Sequence, residues 1–178
     1  FLGLGIVNPA KSSPEVIANA RFCVKKVFLD FAGPKIKSIV PSSRTPLSII
    51  GLGQIGLAVM NRAMGFEMEI YYHSRTRKPA VEKQYGIRWS PDLNSALEVA
   101  DYVSLHAPLT PATQHMIGKE QFARMKPTAI LINTARGALV DHVALFEAVR
   151  DEVIWGVGLD VTDPEPLPSG SMGLKERP

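Results

Sequence analysis

Three glycines at fixed spacing, Gly51-Leu52-Gly53-Gln54-Ile55-Gly56, carry the first recognisable chemistry in this 178-residue sequence: a cradle for phosphate. The apolar run Leu47-Ser48-Ile49-Ile50 leads straight into them, and an amphipathic stretch follows. In such a strand–turn–helix, Gly51 permits the tight turn and Gly53 lets a pyrophosphate approach the backbone. Gly56 lets the helix pack on the strand. The helix start then offers unpaired N–H groups and a positive dipole end to the phosphates. Glycines also cluster in ordinary turns, so it is this setting that points to dinucleotide binding.

The next apolar run bears on which dinucleotide. A site for NAD places a carboxylate about 20 residues on, to hold the ribose hydroxyls. Here the chain reads Tyr71-Tyr72-His73-Ser74-Arg75-Thr76-Arg77-Lys78, without one. A carboxylate would repel a 2′-phosphate, whereas Ser74, Arg75 and Thr76 can bind one through charge-assisted hydrogen bonds. The loop therefore predicts NADP(H), with NAD remaining open and a merely solvated basic loop as the plainer alternative. Further along, Asn133-Thr134-Ala135-Arg136-Gly137 follows an apolar run, and an always-charged guanidinium fork suits a substrate carboxylate. Gly158-Leu159-Asp160-Val161 is followed by Asp163-Pro164-Glu165-Pro166. If these segments end parallel strands, their side chains gather at one crevice; otherwise they are solvated loop residues.

The elements that must position these groups follow from composition and periodicity. Hydrophobic residues make up 46% and charged ones 21%, which excludes wholesale disorder and is enough for a core at this length. The net charge of +3 is too small to call for a nucleic-acid partner. Residues 1–46 hold seven basic side chains against two acidic, the remainder thirteen against fifteen. The basic residues of the first part are scattered without aromatic interleaving and read as exposed helix face. No apolar run approaches the ~18 residues needed to span a membrane. The single cysteine, Cys23, has no partner for an internal disulfide and fits a cytoplasmic setting. The chain opens on Phe1 without the charged leader of a signal peptide, and reads as a piece of a longer protein. No residues present a metal-ligand pattern.

Ser13-Pro14-Glu15 predicts a helix start, and Val16, Ile17, Ala20, Val24, Val27 and Phe28 recur along one face until Gly33-Pro34. A linker follows over 41–46. From residue 47, predicted strands at Leu47–Ile50, Met68–Tyr72, Tyr102–Leu105, Ala129–Ile132 and Ile154–Leu159 alternate with predicted helices. The helices span Gly53–Met64, Pro79–Tyr85, Asp92–Val99, Lys119–Met125 and Asp141–Val149, and Ile87-Arg88-Trp89 supplies a short extra strand. This alternation predicts an α/β fold, a doubly wound parallel sheet of strand order 3-2-1-4-5-6 with the glycine turn at its centre. It also divides the chain into an N-terminal helix and linker (1–46), a dinucleotide-binding domain (47–168) and a truncated tail (169–178).

Several of these stretches together resemble the D-isomer-specific 2-hydroxyacid dehydrogenases, nearest the glyoxylate/hydroxypyruvate reductases. They are Ile49 to Gly56, Ser74-Arg75-Thr76-Arg77, His106-Ala107-Pro108-Leu109-Thr110-Pro111-Ala112-Thr113, Met125-Lys126, Ile132 to Gly137, and Gly158 to Pro166. The resemblance covers about residues 47–168; residues 1–46 share little beyond the Ser-Pro-Glu helix start. It implies that Arg136 binds the carboxylate of a 2-oxo acid and polarises its carbonyl. It implies that Glu165 pairs with a catalytic histidine and raises its pKa, and that Asp160 lies near the nicotinamide amide. Leu52, Gly53, Gln54, Ile55, Ser74, Arg75, Thr76, Pro108, Thr134 and Ala135 match cofactor-contacting positions, with Ser74 where NAD-preferring members carry the acid. The implied protein is a cytoplasmic homodimer acting on a small-molecule substrate, with neither nucleic acid nor membrane as partner.

One family feature has no counterpart here. The histidine that serves as general acid lies in a Pro-His-Ile-Gly type segment beyond the Glu-Pro, and none of His73, His106, His115 and His142 occupies its motif position. Most of the family's substrate domain is absent as well. The expected activity is reduction of glyoxylate or hydroxypyruvate to the D-2-hydroxy acid, with this chain an incomplete and inactive part of the enzyme. The competing class is a dinucleotide-binding module that senses cofactor or docks a partner without turnover. A different Rossmann enzyme, such as a methyltransferase, fits the Arg136-Gly137 and Glu165-Pro166 context less well.

Overall fold

The computed structural model describes residues 44–164; the predicted helix after Ser13 and residue Glu165 lie outside them. Strand β1 (Pro46–Ile50) leads into helix α1 (Gln54–Met64), then come β2 (Glu69–His73), α2 (Pro79–Tyr85) and β3 (Arg88–Trp89). The second half is α3 (Leu93–Val99), β4 (Tyr102–Leu105), α4 (Lys119–Arg124), β5 (Ile130–Asn133), α5 (His142–Arg150) and β6 (Gly156–Leu159). All strand pairs are parallel, and the sheet order is β3-β2-β1-β4-β5-β6, as the alternation predicts.

Both faces of the sheet are covered, so its strands bury side chains of either parity. Leu47 and Ile49 of β1 point to one face with Ile70, Tyr72, Ile130 and Ile132, against Val59, Met60 and Ala63 of α1. Ile50 points to the other with Val103, Leu105, Leu131, Val157 and Leu159, against α3, α4 and α5. Ser48 shares that second face and is fully buried; its hydroxyl donates to the Ala96 carbonyl of α3 at 2.6 Å, which satisfies both groups. Most element ends agree with the periodicity within a residue or two. The last strand begins two residues later than predicted, because Glu152 turns at φ 56 and Val153 N–H bonds back to Ala148 before the chain can extend. Ile154 is nonetheless buried.

Two glycines set how β1 meets α1. Gly51 has φ 98, a left-handed conformation that any side chain would strain, and a Cβ there would lie 2.6 Å from the His106 carbonyl carbon. A Cβ on Gly56 would run into the Gly51 carbonyl oxygen and sit 3.3 Å from Ile49 Cγ2. Gly56→Ala is therefore expected to lower stability by about 1–3 kcal/mol through overpacking. Urea unfolding followed by circular dichroism measures this, and an unchanged midpoint would contradict it. No helix among the described residues is long and apolar enough to cross a membrane.

Candidate functional site

Because every strand runs the same way, the segments leaving β1, β2, β4, β5 and β6 all emerge at one edge of the sheet. Backbone bonds tie them to each other. Gly51 N–H donates to the His73 carbonyl at 2.8 Å, which joins the glycine turn to the start of the Ser74 loop. His106 N–H donates to the Ile50 carbonyl at 2.7 Å, and Asp160 N–H to the Asn133 carbonyl at 2.9 Å. The order reverses between β1 and β4, so the glycine turn sits at the switch point where open α/β sheets bind ligands.

The glycine turn fits a dinucleotide. A Cβ at Gly53 would meet nothing within 4 Å, leaving open the space that a pyrophosphate fills. The α1 N-terminus has no side-chain cap and no acidic residue in its first turn, so its N–H groups remain available to an anion. Leu52 is buried beneath the turn, whereas Gln54 and Ile55 are exposed; Ile55 shows 68% of its surface, an apolar side chain turned outward beside the turn.

The Ser74 loop follows directly. The Ser74 hydroxyl donates to the Thr76 carbonyl at 2.7 Å and closes a small turn. Arg75 is exposed and has no hydrogen-bond or ion-pair partner among the described residues, whereas Arg77 is committed to Glu82 at 2.8 Å. Pro108 lies exposed beyond β4, in a loop held by Thr113: its hydroxyl donates to the Pro108 carbonyl at 2.7 Å and accepts from Thr110 N–H at 2.8 Å.

Beyond β5, the side chain of Asn133 shapes the loop that presents Thr134, Ala135 and Arg136. Asn133 is fully buried; its amide nitrogen donates to the Arg136 carbonyl at 2.9 Å, and its amide oxygen accepts from Ala135 N–H at 3.1 Å. Arg136 is exposed, and one guanidinium nitrogen donates to the Ala135 carbonyl at 2.7 Å. A Cβ on Gly137 would run into the Thr162 carbonyl and lie 2.8 Å from Asp163 N. Only a glycine there lets the Arg136 loop lie against the segment leaving β6, which carries half-buried Asp160. The structure thus brings the glycine turn, Ser74–Thr76, Pro108, Thr134–Arg136 and Asp160 to one edge. The roles of Asn133 and Gly137 do not show in sequence spacing, although the Asx residue at a strand end was a local hint.

The histidines near this edge differ in character. His106 Nε2 lies 2.9 Å from Ser104 Oγ, and burial pushes its pKa down to about 4. His115 Nε2 is 3.9 Å from Asp163 Oδ2 at the surface. A histidine kept neutral in the fold loses nothing above its unfolded pKa near 6.5, but the unfolded chain takes up the proton first on acidification. Stability is therefore expected to fall from about pH 6.5 to 4, by up to about 3 kcal/mol for this residue. Urea midpoints across that range measure it; in His106→Gln the fall should be visibly shallower, and an identical slope would contradict the assignment. Among the described residues no three His, Cys, Asp or Glu side chains gather as a metal site.

Comparison with known proteins agrees with this geometry. Residues 29–177 match the family model for the D-isomer specific 2-hydroxyacid dehydrogenase, NAD binding domain. The chain is 50% identical over 129 residues to a glyoxylate reductase of Korarchaeum cryptofilum, covering 72% of this chain and 39% of that protein. It is 40% identical over 163 residues to a glyoxylate/hydroxypyruvate reductase B of Enterobacter agglomerans, covering 88% of this chain and 50% of the relative. Among solved structures, a glyoxylate reductase from Paecilomyes thermophila superposes with a TM-score of 0.67 at 36% identity, over 75% of this chain and 40% of the other. A D-lactate dehydrogenase with NAD+ from Lactobacillus jensenii gives 0.66 at 38% identity, over 78% and 42%. The chain thus spans half or less of the length of these relatives.

Proposed function

Since the chain belongs to the D-isomer specific 2-hydroxyacid dehydrogenase family, we propose that it is the dinucleotide-binding part of a reductase that converts glyoxylate or hydroxypyruvate to the D-2-hydroxy acid. The observation that carries this reading is that the Arg136 loop and the glycine turn leave the same edge of the parallel sheet, from the strands on either side of β4. In this reading residues 47–168 form the cofactor domain, and the family-length protein is a cytoplasmic homodimer.

A nicotinamide dinucleotide held there would supply a hydride for C2 of the 2-oxo acid. Arg136 holds the substrate carboxylate and stabilises the negative charge that develops on the carbonyl oxygen. Glu165 pairs with the imidazole that protonates this oxygen, and its charge favours the imidazolium. Asp160 would lie on the nicotinamide side of the bound cofactor. Leu52 to Ile55 and the start of α1 would hold the pyrophosphate, and Pro108, Thr134 and Ala135 would border the cofactor.

The cofactor is NADP(H) in preference to NAD(H). The loop after β2 carries no carboxylate over residues 73–78, and Arg75 stands there without a partner among the described residues. Arg75→Ala is expected to weaken NADPH by about 1.5–3 kcal/mol and to leave NADH almost unchanged, the value of a hydrogen bond to a charged group. Fluorescence titration of both cofactors reads this, and equal wild-type affinities would count against the NADP assignment.

A further inference from the structure

Tyr72 is a β2 core residue with no exposed surface, yet its hydroxyl reaches the loop after its own strand. It donates to Glu82 Oε1 at 2.7 Å and accepts from Lys78 N–H at 2.7 Å. Glu82, on α2, also receives Arg77 through Nε at 3.0 Å and a second guanidinium nitrogen at 2.8 Å. The same guanidinium lies 5.0 Å over the ring of Trp89, which pairs with Tyr72 in the sheet. Arg77 and Tyr72 together hold the Glu82 carboxyl below the usual carboxylate range, so the pair is ionic at neutral pH.

These contacts fix the far end of the Ser74–Lys78 loop, as Gly51 N–H on the His73 carbonyl fixes the near end. They also pair the Glu82 carboxylate with Arg77, so among the described residues Arg75 remains the unpaired guanidinium of the loop. A loop ordered during folding does not have to be ordered again when ligand binds. We propose that Tyr72, acting through Glu82 and Arg77, is a positioning residue for cofactor selectivity: it holds Ser74, Arg75 and Thr76 in the shape that receives the 2′-phosphate. This rests on the NADP(H) reading above.

The test is a fluorescence titration of the 178-residue chain with NADPH and with NADH, for wild type, Tyr72→Phe, Arg77→Met and the double variant. Tyr72→Phe keeps the ring in the core and removes only the hydroxyl. It is expected to raise the Kd for NADPH about five- to tenfold and to move that for NADH less than about twofold. Arg77→Met should do the same in kind, and the double variant should lose less than the product of the two single losses, since both act through one carboxylate. Equal wild-type affinities would sink the phosphate reading and this proposal with it. A wild-type preference that persists in Tyr72→Phe would sink this proposal alone. So would equal weakening of both cofactors, or losses that multiply fully, which would make Arg77 a direct phosphate ligand. Should Tyr72→Phe fail to fold by circular dichroism, Glu82→Gln decides, since it breaks the same network without removing a cation: loss confined to NADPH supports the device, and no loss, or a gain from a freed Arg77, overturns it.

Discussion

Replacing Arg136 by alanine in a family-length protein carrying this domain is expected to lower kcat/KM for glyoxylate by about 10³-fold or more. Two contributions are lost together. One is the bidentate hold on the substrate carboxylate, and the other is stabilisation of the charge developing on the carbonyl oxygen. Cofactor affinity should stay nearly constant, because the loop around Arg136 owes its shape to Asn133 and not to the guanidinium. Among the described residues the arginine side chain bonds only to the neighbouring Ala135 carbonyl, at 2.7 Å, and it lies exposed, so its removal leaves no described buried group unsatisfied. Arg136→Lys keeps the charge but not the planar fork, and should recover only a small part of the rate. Loss of NADPH absorbance follows the reaction, and near-normal turnover by Arg136→Ala would remove this residue from the site.

A polypeptide of these 178 residues should bind NADPH yet reduce glyoxylate and hydroxypyruvate negligibly. Losing a general acid typically costs about 10²–10⁴ in rate. Without the substrate domain, orientation and exclusion of water are lost as well, which can cost more. The histidines here do not supply a replacement. His106 adjoins the glycine turn, but burial holds its pKa at about 4, so it carries almost no proton to give at neutral pH. His115 lies at the surface near Asp163, at 3.9 Å. His73 ends β2 just before the Ser74 loop, with Nδ1 3.1 Å from the Ser90 carbonyl. An assay of NADPH consumption decides the matter, and robust turnover by the 178-residue chain would make His106 the first residue to mutate.

Much of the fold was legible before any coordinates. Leu47-Ser48-Ile49-Ile50 ahead of three spaced glycines announced a strand, a turn and a helix, and strand–helix alternation dictated parallel order through right-handed crossovers. The glycine jobs were legible too, because Gly51 and Gly56 answer local steric demands that few other residues meet. The start of β6 was less so, since a buried Ile154 in a turn has the same apolar signal as a buried strand residue. The sequence also marked Ser74, Arg75, Thr76 and Arg77 as one basic group and Arg136 as a lone cation at a strand end.

What periodicity could not reveal is which of these side chains are committed to one another. Arg75 and Arg77 look alike in sequence, but among the described residues only Arg77 comes within reach of a carboxylate on α2 and the Trp89 ring, so one guanidinium is paired and the other is not. Tyr72 reads as an ordinary core aromatic, and its hydroxyl becomes a loop tether only because β2, α2 and β3 pack as they do. Asn133 likewise alternates like a strand residue, while the end of β5 turns its amide toward the Arg136 backbone. Residue type and spacing therefore determined the sheet, the phosphate turn and the candidate groups, because those depend on local sterics and on alternation of faces. Tertiary structure alone decided which polar groups are paired and which stay available, because hydrogen bonds depend on ångström distances between elements that meet only after the sheet has closed.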